Sequence, residues 1–178
     1  ASFGVGTWTY TGPGTAFFSN PNSATASVTV DAYGSYDFTW TEVNGPCTSN
    51  ASVTVNFYQQ PIADAGLGGA ECDLDFVLTG TASVGVGTWT YTGPGTATFA
   101  PNANDPAATV TVDATGQYTL TWTEDNNGCT DSEDVVVDFN PLPTVSFTGL
   151  AASYCVDQTT PVALTGSPSG GTFSGLGI

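Results

Sequence analysis

Lysine, arginine and histidine are all absent from the 178 residues, against 16 aspartates and glutamates. Each absence closes off a class of function. A formal charge of −16 excludes a nucleic-acid binder, which needs cationic side chains to displace phosphate counterions. Anionic membrane surfaces are disfavoured for the same reason. Without histidine or lysine no base is present to activate a serine or cysteine nucleophile. Zinc sites draw on histidine or clustered cysteine, and the sequence has neither. A paired-carboxylate hydrolase needs no base of that kind. Here, however, the best carboxylate clusters are not shared between near-duplicate units. Glu42 and Glu124 do recur, and both read as outward strand-end residues. The chain is therefore read as non-catalytic. Trypsin has no cleavable bond, and Lys–Asn isopeptide cross-links cannot form. No stretch shows helical spacing, and no apolar run approaches transmembrane length.

What is present argues for a folded chain. Residues are 40% hydrophobic and 12% aromatic, too rich in apolar side chains for disorder. The sequence also repeats. Ala1–Ala16 (ASFGVGTWTYTGPGTA) and Ala82–Ala97 (ASVGVGTWTYTGPGTA) share 15 of 16 positions. With one residue inserted, Val30-Asp31-Ala32 then matches Val112-Asp113-Ala114, Trp40-Thr41-Glu42 matches Trp122-Thr123-Glu124, and Cys47 matches Cys129. Pro143, Cys155 and Leu164-Thr165-Gly166 echo Pro61, Cys72 and Leu78-Thr79-Gly80. Three units follow: 1–59 without its opening strands, 60–141 complete, and 142–178 as the start of a third, variant copy. A period of about 80 residues suits a small self-contained domain, and the expected parent is a longer protein.

Period-two alternation supplies the strands. Trp89 and Tyr91 share one face, as do Val110 and Val112, and as do Tyr118, Leu120 and Trp122; threonines take the other. For the complete unit the pattern predicts seven strands, near 61–65, 74–80, 86–92, 96–100, 107–113, 116–124 and 133–139. Seven short strands in about 80 residues predict an all-β, two-sheet sandwich. Trp8, Trp40, Trp89, Trp122, Tyr36 and Tyr118 are its expected core. Asp113-Ala114-Thr115-Gly116-Gln117-Tyr118, repeated as Asp31-Ala32-Tyr33-Gly34-Ser35-Tyr36, resembles the tyrosine corner of immunoglobulin-type domains. Short proline-containing links at Tyr58-Gln59-Gln60-Pro61 and Phe139-Asn140-Pro141-Leu142-Pro143 predict end-to-end stacking into a semi-rigid rod.

The four cysteines recur with the repeat. The period and the composition favour a Cys72–Cys129 disulfide over buried free thiols, leaving Cys47 and Cys155 to partners outside the sequence. Closing that loop of about 58 residues is worth roughly 4 kcal/mol in the chain-entropy picture. Such a bridge would bring Glu71, Asp73 and Asp75 toward Asp125 and Asp131, flanked by Asn126 and Asn127. Calcium is the cation that such an oxygen cluster would take; a solvated acidic rim is the plainer alternative. The first unit's matching loop, Val43 to Ser49, carries no carboxylate.

GTWTYTGPGTATF, VTVDATGQYTLTWTE and the NGC turn, taken together, resemble the polycystic-kidney-disease-like (PKD-like) and immunoglobulin-like tandem repeats of very large Bacteroidota surface proteins. The resemblance is to the gliding-motility adhesin type, exported by type IX secretion, and covers essentially the whole chain. It implies an extracellular, cell-surface stalk whose partners are neighbouring repeats, with surface glycans met through a tip domain elsewhere in the parent. Two other readings stand beside it: a filament subunit joined head to tail by strand donation, and a carbohydrate- or calcium-binding adhesion module. For the module reading, surface aromatics such as Phe17, Tyr33 and Tyr58 are the candidate features. Separately, Asn50-Ala51-Ser52 is a formal N-glycosylation sequon, and the threonine-rich outer faces are read as plain solvated strands, with O-linked sugar as the alternative.

Overall fold

Alternating threonine and large apolar side chains favour extended backbone, and the chain is strand and loop throughout its described residues. The structure, a computed structural model, describes residues 4–157 and 160–175. Residues 1–3 of the first unit, and 158–159 and 176–178 of the third, lie outside them.

In the first unit β1 (Val5–Thr11), β4 (Gly34–Asn44) and β5 (Cys47–Phe57) form one antiparallel sheet in the order β1-β4-β5. β2 (Ala16–Phe18) and β3 (Val28–Val30) form a second. The next unit holds β6 (Gly69–Glu71), β7 (Asp75–Val77), β8 (Val86–Thr92), β9 (Ala97–Ala100), β10 (Thr109–Val112), β11 (Gly116–Asn126) and β12 (Cys129–Phe139). These make a sheet β6-β12-β11-β8 and a sheet β7-β10-β9. All partners are antiparallel except β6, which lies parallel on β12.

The two sheets of the second unit face each other across one apolar core. Tyr118, Leu120, Trp122, Val137 and Phe139 enter it from one sheet, Val110 and Val112 from the other, with Leu78 and Ala65 closing an edge. All members of this core fall between residues 63 and 139, so the unit carries its own interior. Trp89 pairs with Trp122 across β8 and β11, their rings 5.1 Å apart, and Trp8 pairs with Trp40 in the same register at 5.2 Å. The outer edge of β8 is not left open: Trp89 N donates to Ala103 O (2.7 Å), and the Asn104 amide donates to Gly87 O (2.7 Å).

Each expected tyrosine hydroxyl bonds back along the chain. Tyr118 donates to Ala114 O at 3.1 Å and Tyr36 to Ala32 O at 3.0 Å, and both tyrosines are fully buried. Tyr118→Phe keeps the ring and removes the bond, so it is expected to cost about 1 kcal/mol in urea unfolding.

Two strand expectations change. Residues 61–65 form no strand and make a single bridge, Asp64 to Thr81. Pro61 has no N–H, and the N–H groups of Ala63 and Ala65 go to the carboxylates of Asp131 (2.9 Å) and Glu133 (2.8 Å) rather than to a backbone ladder. The unforeseen β6 does the pairing instead. The last two strands are also longer than the pattern implied. They meet in a two-residue turn in which Asn127 (φ 57°) and Gly128 (φ 92°) both lie in the left-handed region, a tight hairpin that fits the strands' twist.

The third unit shows β13 (Ser146–Thr148) paired with β14 (Thr165–Ser167). Its Ser146–Ser167 pair occupies the place of the Asp64–Thr81 bridge one repeat earlier.

Candidate functional site

With no lysine, arginine or histidine side chain in the chain, carboxylates that are tied to the fold are tied by N–H and O–H donors. Glu124 shows it best. It follows Trp122 at the period-two spacing, so it shares the inward face of β11 and is only 1% exposed. The expectation of an outward strand-end residue was wrong for this position. Glu124 accepts from Ser83 N (2.8 Å), from the Ser83 hydroxyl in a short bond, from Trp122 Nε1 (3.3 Å) and from the Val84 N–H. Burial alone pushes its pKa up; the hydroxyl and N–H donors outweigh it, so the carboxyl is held below 4.5. In the first unit the half-buried Glu42 likewise accepts from Trp40 Nε1 at 3.1 Å.

The same substitution of N–H and O–H donors for cations recurs at the surface. Asp113 accepts from the Thr96 hydroxyl and N–H, both at 2.7 Å, and these bonds hold its carboxyl below 3.8. Asp64 is held down by the Thr81 hydroxyl and the Gly66 N–H. Asp131 and Glu133 secure the entering segment, as above. These carboxylates work as loop and strand ties. Glu124 and Ser83 form a hydroxyl–carboxylate pair of the same kind, and here the carboxylate is closed off by burial.

Cysteine placement overturns the expected bridge. Cys129 opens β12 at the hairpin tip, in register with Asn126. Cys72 directly follows Glu71, which is paired with Phe139 at the other end of β12. The two are separated by the length of an eleven-residue strand, roughly 33 Å at ~3.3 Å per residue. A disulfide needs Cα atoms within about 7 Å. Cys72 and Cys129 of one unit therefore cannot pair. Nor are the thiols buried: Cys47, Cys72 and Cys155 are exposed and Cys129 is partly so.

The calcium arrangement falls for the same reason. Glu71, Asp73 and Asp75 lie at the exit end of β12, whereas Asp125 and Asp131 lie at its tip end. Asp125 instead accepts from Gly128 N (2.7 Å) within the turn. Among the described residues no group of three or more acidic, cysteine or histidine side chains is placed to hold a metal.

The two ends of the second unit are thus chemically distinct. At the tip end the chain enters: Asn126 Nδ2 donates to Gln59 O (2.9 Å) and Gln60 Nε2 to Thr130 O (2.6 Å). At the far end it leaves, with Asn140 N donating to Glu71 O (2.7 Å) beside Cys72. Sequence reasoning missed this polarity, although parity places Asp131 and Glu133 in phase with Val135, Val137 and Phe139.

The first unit presents an apolar groove of about 190 Å³ lined by Trp8, Phe18, Phe38, Val53, Val55 and Phe57, among others. Val53 and Val55 are 51% and 36% exposed, whereas their counterparts Val135 and Val137 are buried. In the second unit that face is covered by residues 63–78, through Ala63, Ala65 and Leu78. The third unit's Val145, Phe147 and Leu150 are exposed. Phe17, Tyr33 and Tyr58 are exposed as well, and Asn50 lies exposed on β5.

Comparison with known proteins gives no matching family model and no matching curated relative.

Proposed function

We propose that this chain is a non-catalytic stalk segment of a large extracellular bacterial adhesin, built from tandem immunoglobulin-like, PKD-like sandwiches. Bacteroidota gliding-motility adhesins exported by type IX secretion are the proteins it resembles. The observation that carries the reading is the polarity of the second unit. Its chain enters at the tip of β12 and leaves roughly 33 Å away at the opposite end. Repeats joined in that way add length rather than bulk. Carboxylates answered by N–H and O–H donors, and a sequence without a tryptic bond, suit a surface spacer. Its partners are neighbouring repeats; glycan contact belongs to a tip elsewhere in the parent.

A second reading has its own support. The open groove of the first unit and the uncovered apolar side chains of the third would suit a filament in which one copy's residues 142–178 complete the next copy's first unit. One solution experiment separates the two. Small-angle scattering, with light-scattering mass, compares residues 60–141 with two consecutive copies of them. The stalk reading expects the maximum dimension to grow by about 35 Å per added unit. An increment below half of that would sink it. For the full 178-residue chain, a mass rising with concentration would favour the filament.

A further inference from the structure

We propose that the repeat's two cysteines form disulfides across the junctions between consecutive units. Cys129 would pair with a cysteine standing in a preceding unit where Cys72 stands in this one, and Cys72 with a hairpin-tip cysteine, the counterpart of Cys129, in a unit that follows. The proposal rests on the tandem-stalk reading above.

The geometry runs through the ends of β12. Cys72 sits where the chain leaves a unit, next to the Glu71–Phe139 pair and the Asn140–Glu71 hydrogen bond. Cys129 sits where the chain enters, paired with Asn126, whose side chain holds Gln59. The connection between leaving and entering is short. Phe57 ends β5 as Phe139 ends β12, and Gln59 is already bound to the second unit. Two residues of linker reach about 7 Å. A cysteine following the residue paired with Phe57, as Cys72 follows the Glu71 paired with Phe139, would lie one strand spacing of about 4.8 Å to the side of Tyr58. Its backbone would then be on the order of 10 Å from the β11–β12 tip, a gap that rotation about the two linker residues closes. Within one unit the same two positions are a full strand apart. All four thiols are exposed or partly exposed, as cross-junction partners must be.

The chemistry is ordinary thiol–disulfide exchange. One cysteine thiolate attacks an oxidised disulfide such as glutathione disulfide, forming a mixed disulfide and releasing one glutathione thiol. The second cysteine's thiolate attacks the mixed disulfide and releases the other. The protein loses two electrons and two protons; the oxidant gains them.

Two consecutive copies of residues 60–141, oxidised with glutathione disulfide, test this directly, because the core of that unit is drawn wholly from its own residues. The expected product is a monomer with one bond, first-copy Cys72 to second-copy Cys129, and two of its four thiols still alkylatable. Chymotryptic peptide mapping without reductant reads the pairing, since trypsin has no site. Cys72→Ser in the first copy should abolish the link, and the same change in the second copy should leave it. A lengthened particle whose four thiols all alkylate would overturn the staple while leaving the stalk standing. A link within a copy or between chains would likewise overturn it. A particle that does not lengthen would remove both.

Discussion

Gly87→Ala is expected to cost the second unit at least about 3 kcal/mol. A Cβ on Gly87 would lie 1.9 Å from Trp122 Cζ2 and 2.3 Å from Cη2, inside the indole ring. Trp122 has nowhere to go. It is fully buried, packs against Trp89, and its Nε1 donates to Glu124. At about 4–8 °C per kcal/mol for a unit of this size, the melting temperature should fall by on the order of 15 °C. The first unit provides the internal control. Gly6 meets Trp40 just as closely, at 1.8 Å, but Trp40 is only half-buried and its ring can turn outward. Gly6→Ala should therefore cost clearly less. Calorimetry of the two single variants checks the order; equal losses would mean that ring burial is not what decides the penalty. Adding Trp122→Phe to Gly87→Ala shortens the ring, and the double variant should be more stable than the sum of the two single losses implies.

Glu124→Ala carries the second large effect, about 3–4 kcal/mol. It strips the acceptor from the Ser83 N–H and hydroxyl, the Val84 N–H and the Trp122 indole, in a site too buried for water to replace them freely. Glu124→Gln keeps the shape but turns one acceptor oxygen into a donor facing other donors, and about 2 kcal/mol is expected. The pH dependence has a definite sign. The folded carboxyl is held below its ordinary 4.5, so its contribution is fully present above that value and is lost as pH falls through the lowered folded pKa. Asp64 and Asp113, held below 3.8, act in the same direction at lower pH. Protonation also relieves repulsion among the 16 acidic residues, which opposes this trend. Comparing the native protein with Glu124→Gln isolates the one residue. Urea unfolding from pH 7 to pH 2 should show the gap between them narrowing below about pH 4.5; a constant gap would refute the assignment.

Much of this was legible in sequence because strand structure is a local, period-two property. The inward Tyr118, Leu120 and Trp122, the tyrosine bonds and the tandem-tryptophan register all follow from alternation and duplication. Glu124 is legible too, by parity with Trp122, although a charged side chain ordinarily seeks water. What outweighs that tendency is a set of donors from Ser83 and Val84, forty residues away, which no local pattern announces.

The sequence by itself determined the all-β character and the repeat, since these depend on residue types and local spacing. Only the tertiary structure decided where the ends of β12 lie. Whether Cys72 meets Cys129, and whether five carboxylates gather at a point, depends on how the opening segment runs along the last strand. That path is a non-local choice. It is set by the parallel pairing of β6 with β12 and by the Asp131 and Glu133 ties to Ala63 and Ala65. It carries Cys72 to the far end of the unit, and so turns an expected bridge within the domain into one that could form only between domains.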